Sequence, residues 1–366
     1  MMQCYFSENW EQATEKFYKN ASNAGELKWC VDNQHKFDIP YAIIGNGPNV
    51  VLMYSGINGI QGYYGSAAQN LFLEAWAPAF KPEFLKKFTF VLIHAINGWG
   101  MQNKMPETFD KSTGALVDIN RNIGKKLTNK TKIPKNPVYN RAHKLLVSKP
   151  ERVKKLAEIK RVSEKLLLKR EDLFRGQYQH KNGLFFGGTH SARESLMTQR
   201  IMDNVMHGAQ SLTAIHFTTG PGLTSVHKPI STSFDTYSFG DINKIQHIAS
   251  LTGGFSATGV DDVVRYDAMP AFLESEYGGK MPVYSVNLCI GTYKNPATFG
   301  EFMLLHMGNA HWELENRGQI SPYTHKKLVG LWYNDTPLWK NMSMIATDGM
   351  YYALLNGLDR YYSHNR

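Results

Sequence analysis

Apolar positions recur at two different periods along this chain, and the switch between them predicts the order of its elements. Trp10, Ala13, Phe17 and Ala21 fall at helical spacing, so residues 8–23 read as an amphipathic helix. Near-alternating patterns follow at 26–32 and 37–44, the period of half-buried strands. Two runs, VVLMY at 50–54 and FTFVLIH at 88–94, are apolar throughout, as strands buried on both faces are. The first passes into a glycine-rich turn, 56–65, after which a helix is expected with Ser66 as its cap. Residues 214–218 and 283–288 are further strands, each running into a turn that contains glycine. Leu145, Val153, Leu156, Ile159, Leu166 and Leu173 form the apolar stripe of one or two helices over 142–174, and a last helix is expected over 343–358.

Strand, turn and helix in repetition predict an α/β fold, a three-layer α/β/α sandwich around a mixed, mainly parallel sheet. Ligands of such sheets bind beyond the carboxyl ends of the strands. The turns after Tyr54, Thr218 and Leu288 are therefore expected to meet at one site. One domain is expected over 1–366, with a basic helical insertion at about 125–175.

Composition narrows the setting. Hydrophobic residues make up 42% of 366, ample for a packed core, yet no apolar run approaches the ~20 residues of a membrane-spanning helix. The N-terminus has no basic-then-apolar signal layout. The three cysteines, Cys4, Cys30 and Cys289, form no CxxC pair, which argues against a disulfide framework and for a reducing compartment, cytoplasm or mitochondrial matrix. The net charge is +10, and its location matters more than its size. Residues 125–170 carry 16 Lys or Arg against three acidic residues, so the rest of the chain is slightly acidic. A basic stretch is often only a solvated helix face. It is also a contact surface for proteins of a larger assembly, for RNA or for anionic lipid.

Residues 55–67 read SGINGIQGYYGSA. Further along stand HAINGWGM at 94–101, DINRN at 118–122, GQYQHKNGLFFGG at 176–188, GTY at 291–293 and WYNDTPLW at 332–339. In order and spacing this series resembles the domain-of-unknown-function branch of the carboxypeptidase A-like and aspartoacylase-like superfamily of zinc hydrolases. The resemblance covers nearly the whole chain and implies the sandwich fold.

At the positions where the resemblance implies zinc chemistry, the residue types differ. Two metal ligands of the family's first turn fall on Asn58 and Gln61, whose neutral amides are poor ligands for Zn²⁺. The third falls on Thr218 in the ungapped match of IHFTTGPG; a slip of two places would put His216 there instead. The family's general base, which deprotonates metal-bound water, falls on Cys289. Asn120 and Arg121 match the family's Asn-Arg pair, which grips a substrate carboxylate through the planar guanidinium fork. An internal salt bridge is the plain alternative for Arg121, and buried hydrogen bonds are the reading for His94 and Asn97.

The expectation is thus a catalytically inactive carboxypeptidase- or deacylase-like protein, a structural or binding subunit with zinc lost. Asn58, Gln61 and Thr218 would be vestigial ligand positions and Cys289 a vestigial base position. Asn120, Arg121 and His216 would hold a small carboxylate. The alternative is an active metallohydrolase with an atypical metal site, cleaving an amide next to a carboxylate.

Overall fold

The computed structural model describes residues 2–31, 37–124, 135–150, 155–161, 174–221, 232–237, 241, 243–244, 246–247, 257–259, 268–293 and 296–364. The strands are β1 (Glu26–Cys30), β2 (Ile39–Gly45), β3 (Asn49–Ser55), β4 (Phe88–Ile93), β5 (Thr108–Asp110), β6 (Ala115–Val117), β7 (Ser211–Pro221), β8 (Thr232–Tyr237), β9 (Ala257–Gly259) and β10 (Val283–Tyr293). The helices are α1 (Trp10–Ala24), α2 (Gly62–Leu71), α3 (Pro82–Leu85), α4 (Gly98–Gln102), α5 (Ile119–Asn122), α6 (Pro137–Leu146), α7 (Arg193–Val205), α8 (Ala268–Tyr277), α9 (Pro296–Arg317), α10 (Pro322–Trp332) and α11 (Pro337–His364).

Eight strands form one sheet in the order β1-β2-β4-β3-β7-β10-β8-β9, and β5-β6 is a separate pair. The central four, β4-β3-β7-β10, are parallel. Antiparallel pairings join β1 to β2, β2 to β4 and β10 to β8. The sheet is thus mixed with a parallel centre.

Alternation along each strand feeds two cores. Val51 and Met53 of β3, Phe90 and Leu92 of β4, and Ile215 and Phe217 of β7 pack with α1, α2 and α11 on one face. Leu52 and Tyr54, Val91 and Ile93, and Leu212 and Ala214 pack with α7 and α8 on the other. Burial on both faces is why β3 and β4 read as unbroken apolar runs.

Some expectations shift. The helix after the glycine turn starts at Gly62, and Ser66 lies inside it, fully buried, as the partner of His94 Nε2 at 2.8 Å. Close approach explains the glycines of this turn. Gly56 has φ +68°, and a Cβ on Gly65 would lie 2.1 Å from that of Ser55. The C-terminal helix is longer than expected, 337–364. Of the basic stretch, 125–134, 151–154 and 162–170 lie outside the described residues. In the described parts Arg141, Lys144, Lys149, Lys160 and Arg161 are exposed. Lys155 instead points inward at 3% exposure, donating to Ser148 O at 2.9 Å and Asn309 Oδ1 at 2.8 Å. Burial of its ammonium lowers its pKa to about 8. Among the described residues no helix is long and apolar enough to cross a membrane.

Candidate functional site

The carboxyl ends of β3, β7 and β10 lie side by side, with Ser55 opposite Phe217, and Thr218 opposite Cys289. After β3 the chain turns through Asn58 into a single 3₁₀ turn, Gly59–Gln61, that leads into α2. This brings Asn58, Gln61 and Thr218 together, as the sequence predicts.

The three side chains bond to one another. Gln61, 2% exposed, donates through Nε2 to the carbonyl of Thr219 at 2.5 Å. A carbonyl only accepts, so this bond fixes which way the amide faces. Gln61 Oε1 then accepts from Thr218 Oγ1 at 2.7 Å and from Asn58 Nδ2 at 3.2 Å. Asn58 Oδ1 is left to accept from Asn120 Nδ2, at a long 3.5 Å. The relay is neutral throughout. Behind it Thr219 Oγ1 donates to Trp332 O, and the single Thr292 Oγ1 proton is shared between Gly220 O and Leu331 O.

These residues do not fit zinc. The metal takes imidazole, thiolate or carboxylate, and the donor set is two carboxamides and a hydroxyl already bonded within the set. His216, the alternative third ligand, is 3% exposed, and its ring stacks on Tyr54 at 4.7 Å and 5°. That pairing belongs to the strand register, where His216 faces Tyr54 across β7 and β3. Cys289 is a partly buried thiol on β10, outside any disulfide. Among the described residues no group of three His, Cys, Asp or Glu could hold a metal ion.

Beside the relay is a cavity of about 110 Å³ lined by Asn58, Pro106, Glu107, Asp118, Asn120, Arg121, Phe174, Phe185, Met303, Met307 and Trp332. Asn120 and Arg121 therefore share one site, whereas His216 does not line it. The Arg121 guanidinium is engaged within the protein: Nε and Nη2 donate to Phe174 O at 3.2 and 3.0 Å, and Nε lies 3.9 Å from Asp118 Oδ2. This is the salt-bridge reading of Arg121, with the residue still at the cavity wall.

Glu107 was not anticipated. It is 2% exposed and its Oε1 lies 3.0 Å from Nε2 of His311, itself 4% exposed. Nδ1 of His311 is 3.3 Å from the carbonyl of Asn182. Pairing positions 107 and 311 needs the fold, since neither lies in a motif and they stand 204 positions apart. His94 and Asn97 hold the neighbouring loop as expected. His94 is fully buried and stacks on Phe17 at 4.6 Å; burial lowers its pKa to about 3. Asn97 caps α4, accepting from Gly100 N at 2.8 Å.

A family model described as "Protein of unknown function (DUF2817)" matches residues 6–345. No curated protein matches the chain significantly. Among solved structures, a metallo-carboxypeptidase from Burkholderia cenocepacia is similar with a TM-score of 0.47 and 11% identity, over 98% of this chain and 71% of that one. Bovine thrombin-activatable fibrinolysis inhibitor, solved with tick carboxypeptidase inhibitor, gives 0.45 and 10% over 94% and 98%. A succinylglutamate desuccinylase/aspartoacylase from Rhodobacter sphaeroides gives 0.35 and 14% over 82% and 68%.

Proposed function

Because the chain belongs to the family described as Protein of unknown function (DUF2817), we propose that it uses a carboxypeptidase-like α/β scaffold for binding and not for metal-assisted hydrolysis. One observation carries this reading: Asn58, Gln61 and Thr218, at the ligand positions the sequence resemblance implies, form a closed neutral hydrogen-bond relay. Recruiting Zn²⁺ there would require breaking buried hydrogen bonds and would offer the cation no anionic or imidazole donor in return.

On this reading the protein is a binding or structural subunit. The basic stretch of 125–170 supplies a contact surface for acidic partners, and the exposed Arg141, Lys144, Lys149, Lys160 and Arg161 belong to it. Such binding is electrostatic and weakens steeply with salt.

The test is the metal content of the purified protein, together with peptidase, esterase and deacylase assays. The reading expects no stoichiometric zinc and no chelator-sensitive turnover. Stoichiometric zinc with hydrolysis abolished by a chelator would favour the metallohydrolase alternative.

A further inference from the structure

A second cavity, of about 570 Å³, shares no described lining residue with the one beside Asn58. Small-molecule sites run from roughly 300 to 1,000 Å³. One wall is a face of α7: Arg193, Leu196, Met197 and Arg200 line the cavity at the spacing of a single helical stripe. The other wall is β5 with the start of the turn after it, 108–112, together with Trp99. Two contacts tie the walls at the start of α7. Thr108 Oγ1 donates to Glu194 Oε1 at 2.8 Å, and His190 Nε2 lies 3.3 Å from Asp110 Oδ2.

These walls leave open an aromatic surface and two cations. The rings of Trp99 and Phe109 stack at 5.7 Å and 29°, and both residues, like Phe37, are only half-buried. They keep apolar surface that a flat ring can cover. Leu196 beside them is 43% exposed. Other polar groups of the lining are engaged within the protein. Asp110 accepts from Ser112 and Thr113, and Arg193 donates to Phe37 O and pairs with Asp38 at 3.2 Å. Lys111 on one wall and Arg200 on the other are exposed, and neither has a hydrogen-bond or ion-pair partner among the described residues. An exposed cation is often only solvated; here each belongs to a wall of the same aromatic cavity.

We propose that this cavity binds a small aromatic phosphomonoester, its ring against Trp99 and Phe109 and its phosphate neutralised by Lys111 and Arg200. A phosphomonoester carries roughly two negative charges at neutral pH, one for each unpaired cation. A carboxylate carries one and leaves the second cation unanswered. A neutral arene answers neither, and inorganic phosphate leaves the aromatic surface uncovered. The proposal goes beyond the binding reading above and does not depend on it, since Asn58, Gln61 and Thr218 do not line this cavity.

The test is calorimetric titration of the full chain, in the presence of a chelator, with 1-naphthyl phosphate, 1-naphthoate, 1-naphthol and inorganic phosphate. The ester is expected to bind saturably and about tenfold more tightly than any of the other three. AMP in its place separates a nucleotide from a simpler aryl phosphate, and saturable binding of either ester supports the proposal. The double variant Lys111→Gln, Arg200→Gln changes two exposed side chains and leaves the core intact. It is expected to bring the affinity for the ester down to that for 1-naphthol. The indole N–H resonance of Trp99, assigned by its loss in Trp99→Phe, is expected to shift with the ester, which separates this cavity from the basic stretch as the place of binding. Any of the other three compounds binding as tightly as the esters, an unchanged affinity in the double variant, or an unmoved Trp99 resonance would overturn the proposal. So would the absence of saturable binding by both esters. Zinc in the protein as purified bears on the scaffold reading alone.

Discussion

Two clusters of polar side chains, one around Gln61 and one around Glu107, treat their polar atoms in opposite ways. Around Gln61 its own side-chain amide, Asn58 Nδ2 and Thr218 Oγ1 are partnered, ending on the carbonyl of Thr219. Around Glu107 a buried carboxyl group, a carboxamide oxygen and an indole N–H lack partners among the described residues. Buried polar groups without partners are costly and uncommon. All three belong to residues that line one cavity, whereas the side-chain amide of Gln61 is bonded at both ends. The presence of polar residues in a cleft says little by itself; which of their atoms are still unpaired says much more.

The largest effect should come from breaking the Glu107–His311 hydrogen bond. Glu107→Ala leaves His311 Nε2 in the core without that partner, and a buried polar group left unsatisfied costs about 3 kcal/mol, the upper end of its range. Urea unfolding measures it, and a loss under about 1 kcal/mol would mean that the pair is not buried as described. Next comes the closed half. Gln61→Leu removes the bonds to Thr218 Oγ1, Asn58 Nδ2 and Thr219 O, leaving only the 3.5 Å contact between Thr218 Oγ1 and Thr219 O, for about 1–3 kcal/mol in the same experiment. A variant as stable as the parent would remove the relay from the account.

A third comparison uses pH. His94, held neutral by burial with its pKa at about 3, packs behind the glycine turn on Phe17 and Ser66. The unfolded chain takes up this proton near pH 6.5 and the folded one does not. The contribution of His94 is therefore fully present above about pH 6.5. It falls as pH drops from there toward 3, by up to about 1.4 kcal/mol per pH unit. Unfolding midpoints of the parent and of His94→Gln across pH 4–7 should diverge, with the flatter profile in the variant. Parallel profiles would contradict the burial of that ring. The smallest effect belongs to Asn120→Ala. One bond of 3.5 Å and an oxygen already lacking a partner predict a stability loss of about 0.5 kcal/mol or less. A loss as large as that of Gln61→Leu would place Asn120 inside the closed relay and erase the contrast.

The sequence made one of these clusters readable and hid the other. Asn58, Gln61 and Thr218 were legible because a glycine turn and a strand end carry recognisable local patterns, and β3 and β4 because burial on both faces leaves unbroken apolar runs. Between Thr218 and His216 as the residue beside the turn, the strand register decides, since it stacks His216 on Tyr54. Glu107 and His311 sit 204 positions apart, on a loop before β5 and on a helix whose buried residues surround much of its circumference, so no period singles them out. The inward turn of Lys155 was hidden for a related reason: within a basic stretch, only packing shows which lysine points in.

The central claim is our proposal that the residue types at Asn58, Gln61 and Thr218 do not suit zinc. Equilibrium dialysis against Zn²⁺ of the native chain beside the triple variant Asn58→His, Gln61→Glu, Thr218→His tests it most directly. The account predicts no stoichiometric zinc in the native protein and about one ion in the variant, whose donors then match a three-ligand zinc site. Tight stoichiometric zinc in the native protein would contradict it.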